Sequence, residues 1–148
     1  MTTKAILFVC LGNICRSPLA EGIFRRRAEE RGQTDTYRFD SAGTGAWHVG
    51  NPPDPRSIAI ARHHGIDISG QRARQVVEAD FKRFDLILAM DRSNLETLSG
   101  RMPATGTAQV QLLLDHPPQD VPDPYYGGPQ GFEQVYQMLC QQAERLIS

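Results

Sequence analysis

Residues 4–9 (Lys-Ala-Ile-Leu-Phe-Val) form an unbroken apolar run rich in strand formers, and a helix start follows closely at Ser17-Pro18. A strand without polar alternation must be covered on both faces, which calls for helices above and below its sheet. Serine at an N-cap and proline at the first helical position predict a helix over 18–31, stopped by Gly32. A buried strand that passes through a short turn into a helix is the opening unit of an α/β fold. Lys4 ahead of seven apolar residues (5–11) also has the outline of a minimal export signal. No small-x-small cleavage site precedes Arg16, however, and the buried strand is the preferred reading.

The rest of the chain continues the alternation. Strands are predicted over 37–42, 84–89 and 110–114, and helices over 57–64 (ended by Gly65) and 93–99. A loop rich in Gly, Pro and Asn spans 43–55, and a second loop holding five prolines spans 116–129. In the closing helix Phe132, Val135, Tyr136, Leu139, Ala143 and Leu146 recur at helical spacing. With no repeat, linker or low-complexity segment, residues 1–148 read as a single α/β domain. Its sheet is small and mostly parallel, with helices on both faces, and ligands are expected beyond the carboxyl ends of the strands.

Composition narrows the function. A chain of 148 residues can bury roughly 70% of its unfolded surface. Sixteen basic against seventeen acidic residues leave a net charge of −1, which offers no field for nucleic acid or an anionic membrane. No apolar run approaches the ~20 residues of a membrane span. Three cysteines do not make a disulfide framework and point to a reducing cytoplasm.

The chemistry is concentrated in Val9-Cys10-Leu11-Gly12-Asn13-Ile14-Cys15-Arg16-Ser17-Pro18. A cysteine stands at a strand end, an arginine lies six positions on, and a helix starts immediately afterwards. If Leu11, Gly12, Asn13, Ile14, Cys15 and Arg16 curl around a centre, their N–H groups form an anion nest to which the helix N-terminus adds partial positive charge. Gly12 and Asn13 are residue types that tolerate the left-handed backbone of such a curl. The cradle favours the thiolate, the nucleophilic form of Cys10. Arg16 adds a planar fork for two phosphate oxygens. There is no Gly-x-x-x-x-Gly-Lys-Ser/Thr or Gly-x-Gly-x-x-Gly, so ATP and NAD have little support. No Cys-x-x-Cys pair or His pairing completes a zinc site.

This stretch resembles the signature of the low-molecular-weight protein tyrosine phosphatases, Val-Cys-x-Gly-Asn-x-Cys-Arg-Ser-Pro. The likeness continues through Asp40-Ser41-Ala42, Gly50-Asn51-Pro52-Pro53-Asp54, His64-Gly65-Ile66, Ala73-Arg74-Gln75, Met90-Asp91 with Asn94, and Asp123-Pro124-Tyr125-Tyr126-Gly127. The resemblance implies a four-stranded parallel sheet flanked by helices, no metal or organic cofactor, tyrosine-phosphorylated proteins as partners, and a monomer or weakly self-associating chain. It implies Cys10 as nucleophile, Arg16 as phosphate binder, Asp123 as general acid and then base, and a cysteinyl-phosphate between the two steps. Ser17 matches a serine that supports the thiolate, and Asn13 an asparagine that holds the loop. Trp47, Tyr125 and Tyr126 correspond to aromatic positions around the pocket mouth. Relatives carrying both Cys10 and Cys15 are regarded as reversibly redox-regulated, which implies a disulfide between them.

Two alternatives share the fold. Arsenate reductases carry further cysteines near mid-chain, whereas residues 51–139 contain none here. Phosphoarginine phosphatases typically have threonine where this chain has Ile14. Cys140 reads as helix packing, and Arg25, Arg26 and Arg27 with Glu29 and Glu30 as a solvated face. His48, His63, His64 and His116 have no metal-ligand spacing, and His64 reads as a local hydrogen bonder. Arg74 and Asp91 suggest scaffold hydrogen bonds alone.

Overall fold

In the computed structural model, which describes residues 3–115, 117–125 and 128–147 apart from the side chain of Pro129, strand β1 (Lys4–Cys10) is buried on both faces from Ala5 onward. Ile6, Phe8 and Cys10 enter one core layer, and Ala5, Leu7 and Val9 enter the other. That two-residue alternation is how a continuous apolar run serves two layers at once.

After β1 come α1 (Arg16–Glu30), β2 (Tyr37–Gly43), α2 (Pro55–His63), α3 (Asp80–Arg83), β3 (Leu86–Ala89) and α4 (Arg92–Arg101). They are followed by β4 (Gln109–Leu112), β5 (Leu114–Asp115), β6 (Pro118–Gln119) and α5 (Pro129–Leu146). The first four strands pair in parallel in the order β2-β1-β3-β4. The expected four-stranded parallel sheet is therefore present. Helices α1, α2 and α5 pack on the Phe8 face, and α3 and α4 on the Leu7 face. Phe8 meets Phe24 of α1 at 4.7 Å between ring centroids, and Phe39 of β2 stacks on Tyr37 at 5.6 Å.

The chain leaves β1 toward β2 on one side and returns to β3 on the other. This is the reversal that opens a crevice beyond the strand ends. Val9 pairs with both Ala42 and Ala89, so the carboxyl ends of the three strands lie level at that crevice.

Gly32 (φ 66°) and Gly65 (φ 83°) stand just past the ends of α1 and α2 in the left-handed conformation that closes a helix, as the sequence predicts. Three expectations need correction. The strand predicted over 84–89 begins at Leu86, because Phe84 caps α3, a helix of four residues that shows no periodicity. The strand predicted over 110–114 stops at Leu112, and Leu114–Asp115 turns to pair antiparallel with Pro118–Gln119 inside the proline-rich loop. Arg25, Arg26 and Arg27 are at least partly exposed, as expected, but their partners are not Glu29 and Glu30 throughout: Arg25 pairs with the buried Glu21 at 2.9 Å, and Arg27 donates to the Ile147 carbonyl. Arg26 alone pairs with Glu30 in the open. No helix among the described residues is long and apolar enough to cross a membrane.

Candidate active site

Beyond Cys10 the chain curls through residues 11–15 and enters α1 at Arg16. Asn13 supplies the left-handed turn, with φ 57°, and is the only non-glycine described residue with positive φ. Gly12 does not share that conformation, contrary to expectation. A Cβ there would sit 3.0 Å from the His48 ring, so its smallness admits His48 to the site. Gly43, at the end of β2, lets the loop lie against the sheet: a Cβ would fall 2.8 Å from the Leu11 carbonyl oxygen and 3.2 Å from the Asn13 nitrogen.

Ser17 is not the N-cap. The helix starts one residue earlier, with Cys15 at the cap position and no side chain satisfying the first-turn amides. Helices α2 and α4 differ, since Asp54 accepts from the Arg56 N–H and Asp91 from the Asn94 N–H. Open N–H groups at a helix start are what an anion requires.

The Ser17 hydroxyl is instead 3.0 Å from Cys10 Sγ. Asn13 fixes the direction of the surrounding bonds. Its Oδ1 accepts the Arg74 backbone N–H at 2.9 Å, so the other amide atom must be nitrogen. Nδ2 then donates to Ser17 Oγ at 2.8 Å and Ser41 Oγ at 3.0 Å. Ser17 Oγ, already an acceptor, has its own proton left to donate, to Cys10 Sγ or to the Ala42 carbonyl at 3.5 Å. Ser41 passes its own proton to the carboxylate of Glu21 at 2.8 Å. Burial of Glu21 pushes its pKa up, against the pull of the Ser41 and Arg25 bonds.

Arg16 is almost wholly buried, and Nη1 donates to Asp91 Oδ2 and to the Val121 carbonyl, both at 2.8 Å. Burial alone works against its charge, but the negative groups at Cys10, Asp91 and Asp123 outweigh it and raise its pKa. Asp123 Oδ2 lies 3.7 Å from Arg16 Nη2, and its Oδ1 accepts the Tyr125 N–H at 3.0 Å. Arg56 ties this loop to the cradle. It donates to the Tyr125 carbonyl at 2.8 Å, lies over the Tyr125 and Phe132 rings, and is gripped by Asp54, whose own N–H donates to the Ile14 carbonyl at 2.7 Å.

These groups enclose a cavity of about 300 Å³ with Cys10 and Arg16 at its floor and Asp123, Trp47, His48 and Tyr125 in its walls. Leu11, Gly12, Ile14 and Cys15 complete the lining. Trp47 and Tyr125 both line this pocket, whereas Tyr126 lies outside the described residues. His48 was missed as a lining residue; its position beside Trp47 in the glycine-rich loop was the available signal. The Cys15 thiol is pushed up to about 12, chiefly by burial and then by negative charge at Asp54, Cys10 and Asp123. Away from the site, Cys140 is half-buried on α5, and His64 bonds to Glu133 at 3.1 Å while stacking on Tyr136. The arrangement can bind a tetrahedral oxyanion, attack it with sulfur, and offer a carboxyl group to what departs.

Known proteins share this architecture. Residues 5–148 match the family model described as low molecular weight phosphotyrosine protein phosphatase. The pig protein of that name is 46% identical over 140 residues, covering 91% of this chain and 88% of its own. The low molecular weight protein-tyrosine-phosphatase YfkJ of Bacillus subtilis is 45% identical over 148 residues, covering 97% and 94%. Among solved structures, a protein tyrosine phosphatase from Entamoeba histolytica superposes with a TM-score of 0.92 at 39% identity, over 98% of this chain and 95% of that one. Fold, loop and whole-length similarity agree, and the chain belongs to the low molecular weight phosphotyrosine protein phosphatase family.

Proposed function

We propose that the protein hydrolyses phosphotyrosine in other proteins through a cysteinyl-phosphate on Cys10. The observation that carries this reading is the Cys10 sulfur held 3.0 Å from the Ser17 hydroxyl at the floor of the cradle, beside an Arg16 braced by Asp91. The thiolate of Cys10 attacks phosphorus, and Arg16 with the open loop amides binds the oxygens on which charge accumulates. The bond from phosphorus to the tyrosyl oxygen breaks, and Asp123 gives that oxygen its proton, since a phenol of pKa about 10 leaves poorly as the anion. In the second step the Asp123 carboxylate takes a proton from water, whose oxygen displaces the Cys10 thiolate and releases phosphate.

The 3.7 Å approach of Asp123 to Arg16 supports the sequence of roles. An arriving phosphate takes over the guanidinium and releases the carboxyl group toward the leaving oxygen. Pro122 and Pro124 stiffen the backbone on either side of it. The pocket's depth and aromatic walls suit an aryl phosphate, whose phosphorus stands farther from the peptide than that of phosphoserine.

The test is a substrate panel of phosphotyrosine, phosphoserine and phosphoarginine, with arsenate reduction by a thioredoxin system alongside. Phosphotyrosine alone should turn over. Cys10→Ser should abolish turnover yet still bind vanadate. Asp123→Asn should lose about 10²–10⁴-fold with phosphotyrosine and less with aryl phosphates whose leaving groups are already acidic. It should also flatten the alkaline limb of the pH profile. Equal losses across the leaving-group series would remove Asp123 as the acid.

A further inference from the structure

A second groove adjoins the pocket across the side chains of Leu11 and Trp47, which line both. Its remaining wall includes Thr44, Gly45, Thr97 and Arg101. Leu11 is 47% exposed and Trp47 73%, although the core could have absorbed side chains of this kind. The Trp47 ring lies so close over Gly45 that a Cβ there could not be accommodated, and with Leu11 it forms an apolar ridge between the two concavities. An exposed apolar ridge between two concavities is a surface for something that crosses from one to the other.

The groove is tied to the loop by backbone. The Thr44 N–H donates to the Cys10 carbonyl at 3.0 Å, and the Thr44 carbonyl accepts from Arg101 Nη1 at 2.7 Å and Gln75 Nε2 at 3.2 Å. Arg101 is exposed and anchored by that one bond, and no carboxylate reaches it among the described residues. The rest of its planar fork is available, in the geometry that takes a carboxylate two oxygens at a time.

We propose that this groove is a subsite for the substrate polypeptide, occupied by residues next to the phosphotyrosine, and that Arg101 selects an acidic side chain there. The inference rests on the phosphotyrosine reading of the neighbouring pocket. An extended chain advances about 3.3 Å per residue, so the residues that pass Leu11 and Trp47 are those next to the phosphotyrosine. A glutamate or aspartate within that reach meets the guanidinium while its stem packs on Leu11 and Trp47.

The experiment compares kcat/KM for phosphotyrosine peptides that carry Glu, Gln or Lys at each of the two positions on either side. It uses the parent, Arg101→Gln and Arg101→Glu, with para-nitrophenyl phosphate as a substrate that has no flanks. The parent should favour Glu over Gln by about threefold to fivefold at one or more positions, as expected for an exposed ion pair. That preference should shrink toward unity in about 0.5 M salt. Arg101→Gln should erase it and Arg101→Glu should turn it toward Lys, with nitrophenyl phosphate hydrolysed as by the parent. Equal rates for all peptides in the parent, or a Glu preference that survives in Arg101→Gln, would overturn the subsite while leaving the phosphatase reading intact. Failure to hydrolyse any phosphotyrosine substrate would overturn both.

Discussion

The Asn13 amide has no rotational freedom, because one end meets a backbone donor and the other meets two hydroxyl oxygens. Its orientation makes both serine oxygens acceptors, so the Ser17 and Ser41 hydroxyls are left to donate onward. Cys15 is a contrasting case in the same loop. With its pKa near 12 it is essentially all thiol at neutral pH. Iodoacetamide at pH 7 should therefore label Cys10 and spare Cys15, as peptide mass mapping would show. If peroxide oxidises Cys10 to the sulfenic acid, the expected next step is condensation with the Cys15 thiol, in which the two sulfurs join and water departs. Because the attacking form is the thiolate, disulfide formation should quicken by about tenfold per pH unit through the alkaline range. Dithiothreitol should restore activity to the parent, whereas Cys15→Ser should be active when reduced but recover poorly. A variant that recovers fully would leave Cys15 as packing.

At the level of elements, the junction of β1 with α1 works because β2 ends in a residue without a side chain. Gly43→Ala would drive a methyl group against the Leu11 carbonyl, where only backbone can yield. Such overpacking costs about 1–3 kcal/mol. A lower Tm should accompany a loss in kcat/KM of more than about tenfold, with the far-ultraviolet spectrum retained. The junction itself was legible in the sequence, since unbroken apolar residues, Gly-Asn and Ser-Pro each carry local physical meaning. Local rules also misled there. Ser17 satisfies every preference of an N-cap, yet a hydrogen bond to the Cys10 sulfur draws it into the first turn. The pairing of Arg16 with Asp91 joins residues 75 positions apart, and that of Arg56 with the Tyr125 carbonyl residues 69 apart. No spacing rule reaches such contacts. Elements of two or four residues, such as β6 and α3, are too short to show a period.

Across the whole molecule, stability and site organisation are not separable. Glu21 belongs to α1 and to the core layer behind the loop, and burial raises its pKa above the ordinary 4.5. The folded chain then holds this proton more tightly than the unfolded one, so its contribution is complete below about 4.5 and is lost as pH rises through the raised value. Glu21→Gln keeps an acceptor for Ser41 and should remove that decline. Urea titrations across pH would show the two stability curves separating above 4.5 in favour of the variant. Asp91 carries a different coupling. One of its oxygens caps α4 through the Asn94 N–H, and the other braces Arg16. Opening of the helix start and loosening of the anion clamp are thus two readouts of one carboxylate. If phosphate binds at Arg16 as proposed and favours the arrangement in which Asp91 holds both groups, it should slow hydrogen exchange at the Asn94 amide. By the same linkage, a substitution that frays the first turn of α4 should weaken phosphate by up to the factor by which phosphate protects that turn, so a helix on the opposite face of the sheet from α1 becomes a reporter of occupancy in the cradle.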